Sequence, residues 1–339
     1  MPGSPCGPTC VPAGQPRVSL PRAVGRLAAA AGVLLAALLA VPLLVVLRGG
    51  ARERLVRLVF RAVLRAFGVR MRVFGANGFG PAERLGRGAL VVNNHISWLD
   101  IVAINAVRPM PALAKSEIAS WPLVGRLATS AGTVYLDREA LGTLPGTMAE
   151  LASAMRAGSM VSVTPEGATW CGSDSGRFRP AAFQAAIDGG VPVRPIALRY
   201  RAAAGAETTA PAFIGDETLI DSVRRVARLR GLVLEMRVCE EIAPGRAGDR
   251  RELAALAEAS VNSALGRTRL GRTQTSSTPT GSTPMDSTPM DSTPMSNTPA
   301  GRTQSGSTQS GSTRTGSAPV PAQPRRRAAN SPETGLQVN

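Results

Sequence analysis

Ala89-Leu90-Val91-Val92-Asn93-Asn94-His95-Ile96-Ser97-Trp98-Leu99-Asp100-Ile101-Val102 is the stretch that decides how the rest of the chain is read. Four uninterrupted apolar residues are the pattern of a strand covered on both faces, as in a parallel sheet. Two asparagines end the run, and a helix pattern opens near Leu99. His95, the only histidine in the chain, lies in the connecting loop. Imidazole titrates near neutral pH and is the usual general base, and Asp100, five residues on, is placed to orient it. Ser97 and Asp100 also have the S-x-x-D spacing of a helix capping box. Catalysis and capping both fit the segment. A single histidine also fits a chain so rich in Ala and Arg that Lys115 is its only lysine.

Outward from this segment, apolar runs at 69–74, 111–115, 133–136, 160–163, 193–198 and 232–238 predict further strands. Helix patterns fall at about 99–107, 122–130, 140–157, 178–189, 217–229 and 249–265. Their alternation predicts an α/β domain with a largely parallel sheet flanked by helices. Ligands bind beyond the carboxyl ends of strands in such sheets, which places the loops after Val92, Leu136 and Val163 on one rim. Those loops hold His95 with Asp100, Asp137-Arg138, and Thr164-Pro165-Glu166-Gly167. Each alone also fits a cap, a surface charge or a tight turn.

The domain expectations are a flexible N-terminus over 1–25, a transmembrane and an amphipathic helix over 26–67, a catalytic domain over 68–266, and a disordered tail over 267–339. The tail is Ser, Thr, Pro, Gly and Gln in five-residue repeats such as STPMD, with no apolar face to bury. Leu27 to Leu47 is uncharged and apolar, and twenty-one residues rise about 30 Å, a bilayer core. A signal peptide is the rival, disfavoured by the length and internal position of the run. In the next segment Arg54, Arg57, Arg61 and Arg65 share one helix face, while Leu55, Val59, Val63 and Phe67 share another. That suits a membrane interface, although packing on the chain's own domain gives the same pattern. Arginines after the span outnumber those before it, which predicts a single-pass membrane protein with a cytoplasmic domain. The net charge of +16 then suits anionic lipid. Spread arginines, few aromatics and the lack of a nucleic-acid motif argue against nucleic acid. Cys6, Cys10, Cys171 and Cys239 show no metal-ligand spacing, and no metal site is expected.

The motif order resembles the glycerophospholipid acyltransferase family, typified by 1-acylglycerol-3-phosphate acyltransferases, over roughly residues 85–200. Its His-x4-Asp motif matches His95 to Asp100. A Gly-x-x-Φ-Φ-Asp-Arg block matches Gly132 to Arg138. Thr164-Pro165-Glu166-Gly167 matches the third motif, and Val191-Pro192-Val193-Arg194-Pro195 the fourth. The resemblance implies that His95 deprotonates an acceptor hydroxyl, supported by Asp100, and that the hydroxyl attacks an acyl thioester. Substrate-binding candidates are Arg138, Lys115, Glu166, Gly167 and Ser97. Thr169 stands where the family usually has a phosphate-binding arginine, a role for which a neutral hydroxyl is a poor substitute. Arg138, Arg177 and Arg179 are candidates to replace that charge.

The expected function is transfer from acyl-CoA or acyl carrier protein to 1-acylglycerol-3-phosphate, forming phosphatidic acid. The alternative acceptor is another lysolipid, such as lyso-ornithine lipid. No cofactor is expected beyond the thioester co-substrate. A serine hydrolase lacks its G-x-S-x-G elbow, and a non-enzymatic anchored protein leaves the ordered motifs unexplained.

Overall fold

The computed structural model describes residues 4–75, 88–121, 125–126, 129, 132–136, 141–267 and 336–338. Helices α1 (Leu20–Leu39), α2 (Val41–Val46) and α3 (Gly49–Ala66) precede strand β1 (Arg70–Phe74). Next come β2 (Ala89–Asn93), α4 (Leu99–Val107), β3 (Leu113–Lys115), β4 (Val134–Leu136), α5 (Leu144–Arg156) and β5 (Met160–Val163). The order then runs α6 (Ala181–Gly189), β6 (Val193–Arg201), α7 (Leu219–Arg228), β7 (Val233–Val238), α8 (Arg250–Ala264) and β8 (Leu336–Val338). The helix expected at 122–130 falls largely outside the described residues.

Strand order in the main sheet is β5-β2-β6-β7-β1-β8. β2 runs parallel to both neighbours, β7 is antiparallel to β6, and β1 is parallel to β7. Every residue of β2 is buried, and successive side chains point to opposite faces. Ala89 and Val91 join one core with Leu64, Phe67, Leu99 and Ile104 of the α3–α4 side. Leu90 and Val92 join the other with Leu151, Phe183 and Ala257 from α5, α6 and α8. Each fully buried Leu or Val contributes about 1.5–3 kcal/mol, so a polar residue at any position from Ala89 to Val92 disrupts one core or the other.

One part of the expected rim is corrected. β4 does not enter the main sheet but pairs with β3 in a two-stranded sheet, tied to β5 through the Ala112–Ser162 bridge. Asp137 and Arg138 lie outside the described residues.

The expected apolar helix is present at the N-terminus. α1 ends at Ala40, and a new short helix starts with Pro42 in its first turn, because proline supplies no N–H to continue the ladder. Residues 4–18 are hydrogen-bonded to the rest of the chain. The Val18 N–H donates to Arg228 O at 2.8 Å, the Arg230 N–H to Pro16 O at 2.9 Å, and the Thr209 hydroxyl to Cys10 O at 2.6 Å. α1 packs on α3 and α7, with Ala23, Ala30 and Ala37 buried. The Arg26 guanidinium donates to Ala227 O and Leu229 O at 3.0 and 2.7 Å, the kind of orphan carbonyl left at a helix end. α1 is still long and apolar enough to enter a membrane, with mean hydropathy 1.7. Leu35, Leu39, Leu43 and Val46 are exposed around the α1–α2 end. α3 packs on its own domain: Val63, Leu64 and Phe67 are buried, and Arg61 donates to Ala106 O at 2.9 Å.

Residues 1–270 with 333–339 form one compact unit and 271–332 a second, which lies outside the described residues. Two ends of the expected tail belong to the first unit. Leu336–Val338 pair antiparallel with β1. Arg267 closes α8, its N–H donating to Asn262 O at 2.8 Å beside the left-handed Gly266, a helix stop that favours glycine.

Candidate active site

Because β2 and β5 are parallel neighbours, their carboxyl ends bring the His95 loop and the Glu166 turn together. The His95 N–H donates to Glu166 Oε2 at 2.9 Å. Asn94 fastens the loop from the other side, its amide donating to Leu198 O and accepting from the Leu198 N–H on β6 at 3.0 and 2.8 Å. The Trp170 N–H donates to His95 O at 2.8 Å, and the Phe213 N–H to Ile96 O at 2.9 Å.

His95 Nδ1 lies 3.0 Å from Asp100 Oδ2, the ring partly open to solvent and the carboxylate fully buried. Since a carboxylate accepts, this contact places the proton on Nδ1 and leaves Nε2 as the basic nitrogen. The same Oδ2 accepts from the N–H groups of Ile96 and Ser97 at 2.7 and 2.9 Å. One carboxylate oxygen therefore holds both the loop amides just ahead of α4 and the imidazole. Oδ1 accepts from the Tyr200 hydroxyl at 2.6 Å. Burial, the Asp100 charge and the hydrogen bond it accepts push the Tyr200 phenol well above its ordinary range, so it remains a neutral donor.

Glu166 is almost wholly buried, and its Oε1 has no hydrogen-bond partner among the described residues. Burial pushes its carboxyl up to about 8; the Asp100 charge adds to the rise, while the His95 N–H, the Gly176 amide and Arg267 oppose it. Gly167 supplies the positive φ of 76° that this turn needs. Its N–H donates to Thr164 O at 3.2 Å, so that amide closes the turn instead of standing ready for an oxyanion. Ser97 is fully buried, its Oγ accepting from the Leu99 N–H at 3.4 Å. It supports the loop from within. Lys115 is the last residue of β3. Thr169 donates its hydroxyl to Phe213 O, and Arg177 and Arg179 are exposed.

A partly exposed imidazole on a buried carboxylate, beside a buried acid at the ends of parallel strands, is equipped to move a proton during attack by a hydroxyl. The comparisons identify the family. A family model described as Acyltransferase matches residues 78–199. The 1-acyl-sn-glycerol-3-phosphate acyltransferase of Neisseria meningitidis is 35% identical over 185 residues, 55% of this chain and 70% of that one. The lyso-ornithine lipid O-acyltransferase of Pseudomonas aeruginosa is 33% identical over 214 residues, 63% and 79% respectively. The chain belongs to the glycerophospholipid acyltransferase family. The crystal structure of the 1-acyl-sn-glycerophosphate acyltransferase PlsC from Thermotoga maritima shares the fold, with a TM-score of 0.55, 17% identity, and 72% of this chain and 96% of that one covered.

Within this acyltransferase, Tyr200 and Arg267 escaped sequence reasoning. Tyr200 is one of only two tyrosines and lies beyond the expected 193–198 run, on the same strand face as Ile196 and Leu198. Arg267 sits close enough to Glu166 and Glu207 for their charges to act on it, and burial lowers its pKa. One of its guanidinium nitrogens is buried without a hydrogen-bond partner among the described residues.

Proposed function

We propose that this acyltransferase moves an acyl group from acyl-CoA or acyl carrier protein to the free hydroxyl of 1-acylglycerol-3-phosphate, forming phosphatidic acid. The observation that carries the proposal is His95 held by Asp100 directly against the Glu166 turn. The acceptor hydroxyl gives its proton to His95 Nε2 as its oxygen attacks the thioester carbonyl. The C–O bond forms, the C–S bond breaks, and the departing thiolate takes the proton back from the imidazolium. Asp100 stabilises that imidazolium and keeps Nε2 outward. Glu166, neutral near pH 7, has one oxygen free to donate a hydrogen bond to the acceptor or to the developing oxyanion. Lys115 and Arg138 remain candidates for phosphate charge, and Arg267 joins them. The reaction as written requires no cofactor or metal.

The α1–α3 hairpin supports a membrane seat in which α1 dips into one leaflet and returns, leaving residues 4–18 and the catalytic unit on the same, cytoplasmic, side. The arginines then meet anionic lipid, the lysolipid enters from the bilayer and the soluble carrier from the cytoplasm. A second acceptor is favoured by one residue. Thr169 is tied to Phe213 O where the family's arginine is expected, which suits a lysolipid without a phosphate monoester, such as lyso-ornithine lipid.

The test reconstitutes the full chain in vesicles and offers labelled acyl-CoA and acyl carrier protein with lysophosphatidate, other lysophospholipids and lyso-ornithine lipid. Product from lysophosphatidate, lost in His95→Ala, supports the primary proposal. Product from lyso-ornithine lipid alone moves the acceptor and keeps the mechanism. Equal activity in His95→Ala sinks the mechanism.

A further inference from the structure

The docked N-terminus brings together three cysteines that are far apart in sequence. The sulfurs of Cys6, Cys10 and Cys171 all lie within 4.8 Å of one another. Cys6 and Cys171 are buried, Cys10 is half-buried, and all three are free thiols. We propose that these three sulfurs form a binding site for a thiophilic d10 metal ion, Zn(II), which staples the N-terminal strap to the loop behind the catalytic histidine.

Zinc–thiolate bonds of about 2.3 Å place the sulfurs of a tetrahedral site about 3.8 Å apart, so the observed triangle closes on an ion with small side-chain movements. Sulfur ligands select zinc over magnesium or calcium. The backbone around the cluster is already arranged for ligation. The Cys171 N–H donates to Cys6 Sγ at 3.3 Å, and the Asp174 N–H to Cys171 Sγ at 3.4 Å, the outer-shell bonds that hold ligating groups in place. The Pro8–Cys10 turn is pinned by the Cys10 N–H to Gly7 O and by Thr209 to Cys10 O. Three protein ligands leave a fourth corner for water. Because Cys171 follows Trp170, whose N–H holds His95 O, an ion here tightens the segment that fixes the catalytic loop. Cys239 lies elsewhere, beside Arg237 and Ser260, and serves as the control.

The experiment purifies the full chain under reducing conditions, without chelator, and measures metal by elemental analysis. About one zinc per chain is expected. Cobalt exchanged into the site gives an intense sulfur-to-cobalt charge-transfer band and the visible bands of a tetrahedral ion. Cys10→Ser, whose side chain is only half-buried, retains its far-ultraviolet circular dichroism and binds zinc at least tenfold more weakly. Cys6→Ser and Cys171→Ser lose the cobalt band, and Cys239→Ser keeps it. Reduced, folded wild-type protein that takes up neither added zinc nor cobalt overturns the proposal, as does a disulfide among the three found by mass spectrometry in reduced preparations. These readouts do not depend on acyl transfer, so they fail separately from the enzymatic assignment.

Discussion

Replacing Glu166 with glutamine removes a titration while preserving the shape of the side chain and an acceptor for the His95 N–H. The wild-type carboxyl is pushed up to about 8 in the fold, against an ordinary value of 4.5. Between those two values the folded chain binds a proton that the unfolded chain releases, so stability falls as pH rises through that window. The benefit of holding the proton is fully present below the unfolded value and is lost as pH rises through the folded one. At about 1.4 kcal/mol per pH unit the difference amounts to roughly 5 kcal/mol. Glutamine does not titrate, and other groups contribute equally to both proteins. The stability gap between wild type and Glu166→Gln should therefore shift by several kcal/mol in favour of glutamine between pH 5 and pH 8.5. Chemical denaturation followed by circular dichroism, in one detergent at both pH values, measures it. Parallel pH profiles for the two proteins would show that the folded carboxyl titrates normally, and the neutral-donor role assigned to Glu166 would fall with them.

Tyr200→Phe strips Asp100 of the donor at its Oδ1 and should cost about 1–3 kcal/mol of stability, read from the same denaturation curves; an unchanged midpoint argues against that bond. His95→Ala should lower kcat by about 10²–10⁴ with the fold intact by circular dichroism. Glu166→Ala should lower kcat by roughly 10²–10³ if its free oxygen steadies the oxyanion, and glutamine, still a donor, should lower it less. Arg267→Gln should raise KM for lysophosphatidate more than for lyso-ornithine lipid, and equal effects on both would remove Arg267 from the acceptor site.

The dyad was legible because both partners belong to one strand–loop–helix segment and their bond spans only five residues. Glu166 was half legible. Strand periodicity placed its turn on the correct rim, and parallel pairing of β5 with β2 supplied the contact with the His95 amide. Tyr200 was hidden because its partner lies a hundred residues away. Recognising it requires knowing that β6 is the other neighbour of β2, and strand order is not written in local periodicity. The sheet that β4 joins was hidden for a related reason. An apolar run announces a strand, not the sheet it joins, and β4 joined β3.

The packing of the N-terminal segment was hidden for a different physical reason. Hydropathy counts apolar residues along one helix and cannot tell lipid from protein as the solvent for its face. α1 carries alanines at 23, 30 and 37, a seven-residue stripe that lets another helix approach closely, and all three are buried. The positive-inside count has the same weakness. It treats every arginine as facing phosphate, yet Arg26 and Arg61 donate to main-chain carbonyls of the α7 and α4 ends. A segment rich in proline and glycine resembles a free arm because it has little to bury. This one is held by a few backbone hydrogen bonds and by the Cys171 N–H on Cys6 Sγ. Protease added to sealed inside-out vesicles, cytoplasmic face outward, should therefore remove an N-terminal tag. A tag that survives until the vesicles are permeabilised would restore the single crossing and separate Cys6 from Cys171.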